Sequence, residues 1–360
     1  ERIFLPFLKK KLNKYLDTFL HNTCIEFFFD VLKKELKDYQ SYFNSWENIL
    51  SKENKNNSVI LTNVLYYKSM FSIYSVAKKL GFLTFTTQHG IAKEANILHN
   101  EGALTYEINS SDYFFSYNKK NKEISENSFF KQGSSLISGM PKRFLRLRKL
   151  SNLNKLNFIS RSKKYLFISS KIYIGNTGRL IRTLNDLDLC KFELNILIHV
   201  LSKIESKVDF KEYPMSLRRY PDIDPVKKIS FPNSNINFLN HSIDMRFILH
   251  KYDLLISYGS SNTATFAILS NIPFVFINFN QYAPLHKDFR DHLKQSIFYF
   301  DFHSSKFYQD INSFLKLDIK EIRKLWKSKK NYRENFIHNY LTQNNNGGEI
   351  IFNAVKPFLN

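Results

Sequence analysis

The sequence predicts an α/β protein of two doubly wound, parallel-sheet domains with a cleft between them. Three observations predict it. At ~100–200 residues per domain, 360 residues make two domains. Short β-rich runs alternate with segments of helical periodicity, once from about residue 58 and again from residue 164. Glycine-containing polar turns follow several of the apolar runs. Strand, helix, strand at this spacing forms right-handed βαβ units and hence parallel sheets.

Taken in order, residues 1–20 read as a basic amphipathic helix, with Phe4, Phe7, Leu8, Leu12, Tyr15, Leu16 and Phe19 at helical spacing. Residues 24–50 form one or two more helices. SVILTN (58–63) is a strand, 66–80 a helix closed by Gly81, and FLTFTT (82–87) a second strand. DYFFSY (112–117) is a third strand, 118–132 a polar helix ending at Gly133, and SSLISG (134–139) a fourth strand. Residues 142–164 are basic, contain no acid and show no strand pattern, so they read as an interdomain linker. The alternation resumes with a strand at 164–170, a helix at 177–188 capped by Thr177, and strands at FELNILIHV (192–200) and Lys228–Phe231. A helix at 242–251 precedes a strand at DLLISY (253–258), a helix at 264–270 and a strand at 272–278. From 306 the pattern is helical, with a loop at 343–348 and a last helix at 349–359. The expected domains are 1–150, 151–330 and a C-terminal helical piece, 331–360, packing back toward the first.

Composition narrows the function. Hydrophobic residues make up 43% and aromatic residues 16%, which excludes a chain disordered throughout. With 10 glycines in 360 residues, a collagen-like or Gly-rich chain is excluded. Lys+Arg exceed Asp+Glu by 21, so the expected partner is polyanionic: nucleic acid, an anionic membrane surface or a phosphate-bearing substrate. Two cysteines, Cys24 and Cys190, exclude a disulfide framework or a cysteine zinc site and suit a reducing cytoplasm. No run of 18 apolar residues suggests a membrane span, and Glu1 in place of an initiator Met leaves a preceding segment open. There is no GxGxxG, GxxxxGK[ST], GxSxG or HExxH, and no RNA-binding aromatic motif or zinc finger. Nucleic acid is therefore not the expected partner.

In doubly wound sheets ligands bind beyond the carboxyl ends of the strands. Gly90, Gly139, Gly175, Gly178 and Gly259 all lie there. The sharpest turn is Gly259-Ser260-Ser261-Asn262-Thr263, between the strand at 253–258 and the helix that follows. Free amides of a first helical turn and its dipole favour an anion, and four polar side chains exceed what one N-cap needs. This turn is expected to cradle a phosphate. Ser169, Ser170 and Lys171 end one strand of the second half and His199 another, and the run LRRYPD adds Arg218 and Arg219; a Lys or Arg at such a strand end would neutralise a diphosphate, with solvated surface as the alternative role for each. In the first half, Gln88-His89-Gly90 ends a strand, which puts the His89 imidazole at the cleft as a candidate general base. Gln88, Gly90, Glu94 and Glu101 are expected on the acceptor side, with His99 beside them. Glu94 and Glu101 are also the carboxylates to serve as base if His89 does not.

The Gln88-His89-Gly90 turn, Gly139-Met140-Pro141, Asp253 to Ser260-Ser261 and Asn271-Ile272-Pro273 resemble the GT-B glycosyltransferases of bacterial capsule, lipopolysaccharide and teichoic-acid synthesis. The likeness extends to the CDP-glycerol glycerophosphotransferases and spans roughly residues 58–280. It implies two Rossmann-like domains, His89 on the acceptor side, and Ser260, Ser261 and His199 at the donor phosphate. It implies a nucleotide-sugar as substrate, a saccharide or lipid-linked acceptor, no cofactor and no metal. The charge of the basic 1–20 helix and of Lys142, Arg143, Arg146, Arg148 and Lys149 adds the expectation of a cytoplasmic protein held peripherally at the anionic inner face of the plasma membrane. The sequence departs from the family pattern at Tyr258-Gly259, where an acid is usual, and at Leu197-Ile198-His199-Val200, where only His199 matches. Glycerophosphate transfer, non-hydrolysing UDP-sugar epimerisation and a non-catalytic binding subunit stay open as alternatives. The number of subunits is not legible.

Overall fold

A computed structural model describes residues 18–63, 68–99, 104–105, 107–150, 163–170, 184–212, 225–228, 235–239, 242–260, 262–343 and 346–359. The expected helix at 1–20 falls almost wholly outside these residues. So do Thr177, Gly175, Gly178, Lys171, Arg218, Arg219, Ser261 and Glu101.

Two parallel sheets are present, as expected. The first runs β1 (Val59–Thr62), β2 (Leu83–Thr87), β3 (Tyr113–Ser116), β4 (Ser134–Ile137), in that order. A long helix, α1 (Thr18–Leu50), packs on α2 (Lys68–Leu80), with the Trp46 indole donating to the Ser69 carbonyl at 3.0 Å. Gly81 ends α2 with φ +82°, a conformation open to glycine at little cost. α3 (Lys119–Glu126) is capped by Asn118 and stops well before Gly133. A Cβ on Gly133 would sit 2.5 Å from the Asp112 carbonyl carbon, so this residue belongs to a tight turn instead of a helix end.

The second sheet has the order β10 (Phe298–Asp301), β9 (Phe274–Asn278), β8 (Leu254–Ser257), β5 (Lys164–Ile168), β6 (Lys207–Lys211), β7 (Ile236–Leu239), all parallel. Chain order reverses between β5 and β8, which is the switch point where such sheets bind ligands. β5, β8 and β9 carry near-continuous apolar runs because both faces are covered. Helices α5 (Asp186–His199), α6 (Pro225–Lys228), α7 (Asn262–Leu269), α8 (Lys287–Ser296), α9 (Phe307–Lys316), α10 (Ile319–Ser328) and α11 (Lys330–Phe336) complete this half.

The structure corrects several expectations. FELNILIHV is helical, not a strand. In α5, Leu189, Cys190, Phe192, Glu193, Ile196 and Leu197 are buried at three- and four-residue spacing, and Asn185 caps the first turn. His199 therefore ends a helix, its ring 5.6 Å from Tyr308, and not a strand. Pro225–Lys228 is a helical turn where a strand was expected to begin, and 242–251 holds two short 3₁₀ turns in place of a helix. The expected linker begins with a helix, α4 (Lys142–Leu150). Leu145 and Leu147 are buried, and Phe144 meets Phe266 of α7 at 5.1 Å. The apolar residues of the basic patch thus face protein, and Arg148 pairs with Glu334 at 2.5 Å.

The first sheet does not reverse, so one of its faces is left to another segment. That segment is α12 (Gly347–Val355), followed by a 3₁₀ turn at Lys356–Phe358. Ile351, Ala354, Val355 and Phe358 pack on Phe85, Tyr113 and Phe115. The chain fastens this return with Asn118 Nδ2 donating to the Tyr340 carbonyl at 2.7 Å and Met140 N–H donating to Thr342 Oγ1 at 3.0 Å.

Candidate functional site

The carboxyl ends of the strands open on a cleft of about 720 Å³ between the two sheets. Asn63, His89, Tyr117, Arg143 and Phe144 line it from the first half, and the ends of β5, β6 and α7 from the second. A smaller hollow of about 320 Å³, lined by Phe192, Phe279 and Phe302 among polar side chains, brings none of the predicted site residues together.

On the second domain, β5 ends in Ser169-Ser170 and β8 in Tyr258-Gly259-Ser260, side by side across the switch point. Gly259 is required there. A Cβ would lie 2.7 Å from the Ser170 Cβ and closer still to its Oγ. Ser170 and Ser260 are buried, and the Ser170 hydroxyl has no hydrogen-bond partner among the described residues. Asn262 and Thr263 open α7 and line the cleft, so the first free amides of that helix face it. Behind the turn, the buried Glu193 carboxylate accepts from Tyr258 Oη at 2.7 Å and from Ser169 Oγ. Burial, then the Glu193 charge, pushes the Tyr258 hydroxyl far above its ordinary pKa, so it stays a donor.

Lys211 ends β6 and Glu212 follows it, and Asp244 and Arg246 come after β7; all four line the cleft. Arg246 donates through Nε to both Asp244 oxygens at 3.0 Å, which holds that carboxyl below its usual range. The same guanidinium lies over the rings of Phe144 and Phe266 at 5.7 and 5.5 Å. Glu212 is paired with Lys227 at 2.6 Å. Arg143 stands over Phe144 at 4.9 Å and has no carboxylate partner among the described residues. Sequence reasoning missed these groups. Arg143 sat in the presumed linker, and in β6, KVDFK, three of five residues are charged, with Val208 and Phe210 its only apolar residues.

On the first domain, His89 presents an exposed face to the cleft, and the surrounding walls lower its pKa by desolvation. Gly90 lies against the other domain: a Cβ there would be 2.8 Å from Asn262 Nδ2 and 2.9 Å from its Cγ. Gln88 and Glu94, expected to meet an acceptor, do not reach it. Both are fully buried, and Gln88 Nε2 donates to Glu94 Oε1 at 2.7 Å. His99 ends a short 3₁₀ turn, Ile97–His99, and His199 lies apart from the cleft residues. Among the described residues no group of three His, Cys, Asp or Glu gathers as a metal site, and no helix is long and apolar enough to cross a membrane.

No protein-family description and no curated protein sequence matches the chain. Solved structures do. The UDP-GlcNAc 2-epimerase of Methanocaldococcus jannaschii, in complex with UDP-GlcNAc and UDP, is 13% identical with a TM-score of 0.53, over 90% of this chain and 82% of that one. The S. aureus MnaA–UDP structure is 11% identical with a TM-score of 0.54, over 89% and 79%. A trehalose-6-phosphate synthase, studied for glycosyl transfer with retention, is 10% identical with a TM-score of 0.53, over 89% and 79%. The fold is GT-B. At these identities the likeness is one of architecture, and the chemistry rests on the side chains above.

Proposed function

We propose that this GT-B chain is a glycosyltransferase, moving a sugar from a nucleotide-sugar donor to a saccharide or lipid-linked acceptor. One observation carries the reading: His89 of one domain and the N-terminus of α7 of the other line the same cleft. The donor diphosphate sits at the α7 amides, with Ser260, Asn262 and Thr263 as donors and Lys211, Arg143 and Arg246 as nearby positive charge. His89, neutral at pH 7, takes the proton of the acceptor hydroxyl. The new bond forms from that oxygen to the anomeric carbon as the bond to the diphosphate oxygen breaks, and the nucleoside diphosphate leaves. The motif resemblance adds the setting, bacterial surface-polysaccharide synthesis at the inner face of the membrane.

A second reading is interconversion of the donor sugar itself. The carboxylates Glu212 and Asp244 in the cleft wall favour it, because moving a proton on and off one sugar carbon needs acid and base but no acceptor. Titration with CMP, CDP, UDP and GDP is the first test. Binding of none leaves only a non-catalytic subunit, and binding of CDP alone points to glycerophosphate transfer. With a labelled nucleotide-sugar, NMR then separates the rest. Transfer releases nucleoside diphosphate and needs acceptor, whereas epimerisation changes the sugar signals without either.

A further inference from the structure

Beneath the His89 turn lies a layer of buried polar side chains that faces no ligand. Glu94 Oε1 accepts from three side-chain amides: Gln88 at 2.7 Å, Asn118 at 2.9 Å and Asn121 at 2.9 Å. Its Oε2 accepts the Ala92 N–H at 3.3 Å. Gln88 uses both ends. Its amide also donates to the Gly90 carbonyl at 2.8 Å, and its oxygen accepts the Tyr117 N–H at 2.7 Å. These bonds fix the residue before His89, the residue after it, and the start of the next strand turn. Beside them Lys93 and Glu107 form a buried ion pair, with Lys93 donating to Ser125 Oγ at 2.7 Å.

The same layer reaches the other domain. His286 donates from Nε2 to the Lys93 carbonyl at 3.1 Å and from its main chain to the Ala95 carbonyl at 3.0 Å. Ile97 N–H donates to the Pro284 carbonyl at 3.0 Å.

Burying a carboxylate is costly unless its oxygens are fully bonded, and an apolar side chain would fill the space at less cost. What an apolar side chain could not do is gather four N–H groups around one turn. We propose that Gln88 and Glu94 are positioning residues, a clasp that closes the 88–94 turn and holds the His89 imidazole in the cleft. The role rests on the reading of His89 as the base.

Two variants test it, read by NMR titration of the His89 imidazole, whose signal is assigned by its loss in His89→Ala. Gln88→Met removes both ends of the clasp at nearly constant shape and constant charge. Glu94→Ala removes its anchor. In the folded variants the His89 midpoint rises toward 6.5 as the released ring gains water, and turnover falls at least tenfold while nucleotide affinity stays within twofold. Loss of the Glu94 charge alone would lower the midpoint, so a rise in Glu94→Ala reports the released ring. Glu94→Gln, which keeps an oxygen for the three amides, restores most of both properties. A folded Gln88→Met or Glu94→Ala whose His89 midpoint is unchanged or lowered overturns the proposal. The titration needs no substrate. A wild type that binds no nucleotide thus defeats the transferase reading while the clasp is still decided.

Discussion

Ser170 occupies the space that a side chain on Gly259 would need, with its Cβ 2.7 Å from where the Gly259 Cβ would stand. The two residues end the two strands that flank the switch point, so their contact sets how closely the donor turn follows the sheet. Gly259→Ala forces one strand end aside. Overpacking of this kind costs roughly 1–3 kcal/mol. Melting temperature and nucleotide affinity both fall, and Ser170→Gly in the same chain restores them. A Gly259→Ala protein that melts and binds as the wild type does contradicts the contact.

The contact between Gly90 and Asn262 crosses the cleft and predicts a coupled pair. Asn262→Ala removes one hydrogen-bond donor from the phosphate cradle, and a bond to a charged group contributes about 1.5–3 kcal/mol. Nucleotide binding therefore weakens roughly tenfold to a hundredfold by that estimate. Gly90→Ala alone disturbs the domain contact but becomes tolerated when Asn262 is also Ala, because the three side-chain atoms nearest to the new methyl are then gone. A double-mutant cycle on melting temperature measures this; strictly additive effects argue against direct contact.

His89→Ala separates catalysis from structure. Loss of a general base lowers turnover by ~10²–10⁴. The side chain is partly exposed and its clasp is made by its neighbours, so melting temperature and nucleotide affinity hardly change. Full turnover in the folded variant removes His89 from the chemistry.

Burial lowers the pKa of His89 and of His286. Their unfolded values are ~6.5, so between the folded values and 6.5 the unfolded chain holds more protons. Stability then rises with pH through this window and is lost as pH falls below about 6.5. The neutral base persists into the same window, which places the acid limb of the rate profile below 6.5. Melting curves and rates from pH 5 to 8 check both. An acid limb centred above 6.5 would exclude His89 as the titrating base.

The turn proposed as the donor site was readable from local sequence signals. DLLISYGSSNTATFAILS carries a buried strand, a glycine and a set of helix-capping residues within 18 positions, and all three signals are local. The acceptor side was less so. Gln88 and Glu94 stand beside His89 in sequence, but only the fold shows Asn118, Asn121 and the Tyr117 amide closing over them. The confusion of α5 with a strand has a plain cause. Ile196-Leu197-Ile198 is a short apolar run with two β-branched residues, and the buried set that marks a helix includes Glu193, a carboxylate whose Oε1 accepts from Ser169 and Tyr258 at the ends of distant strands. β6 failed for the opposite reason. Lys207, Asp209 and Lys211 alternate with two apolar residues, and Asp209 is placed by the Tyr252 hydroxyl at 2.6 Å and Asn237 at 2.9 Å.

The cover over the first sheet has a consequence for how this protein is made. Phe85, Tyr113 and Phe115 wait for Val355 and Phe358, about 240 residues later in the chain. At ~5–20 residues per second, synthesis takes roughly 10–50 s to supply them. During that time the ribosome has released a sheet with one aromatic face wet, followed by a second domain that can already fold. Of these two domains, the one translated earlier is thus completed later. Its nascent form is the species most in need of a chaperone, and every truncated chain that lacks the final helix keeps it in that state.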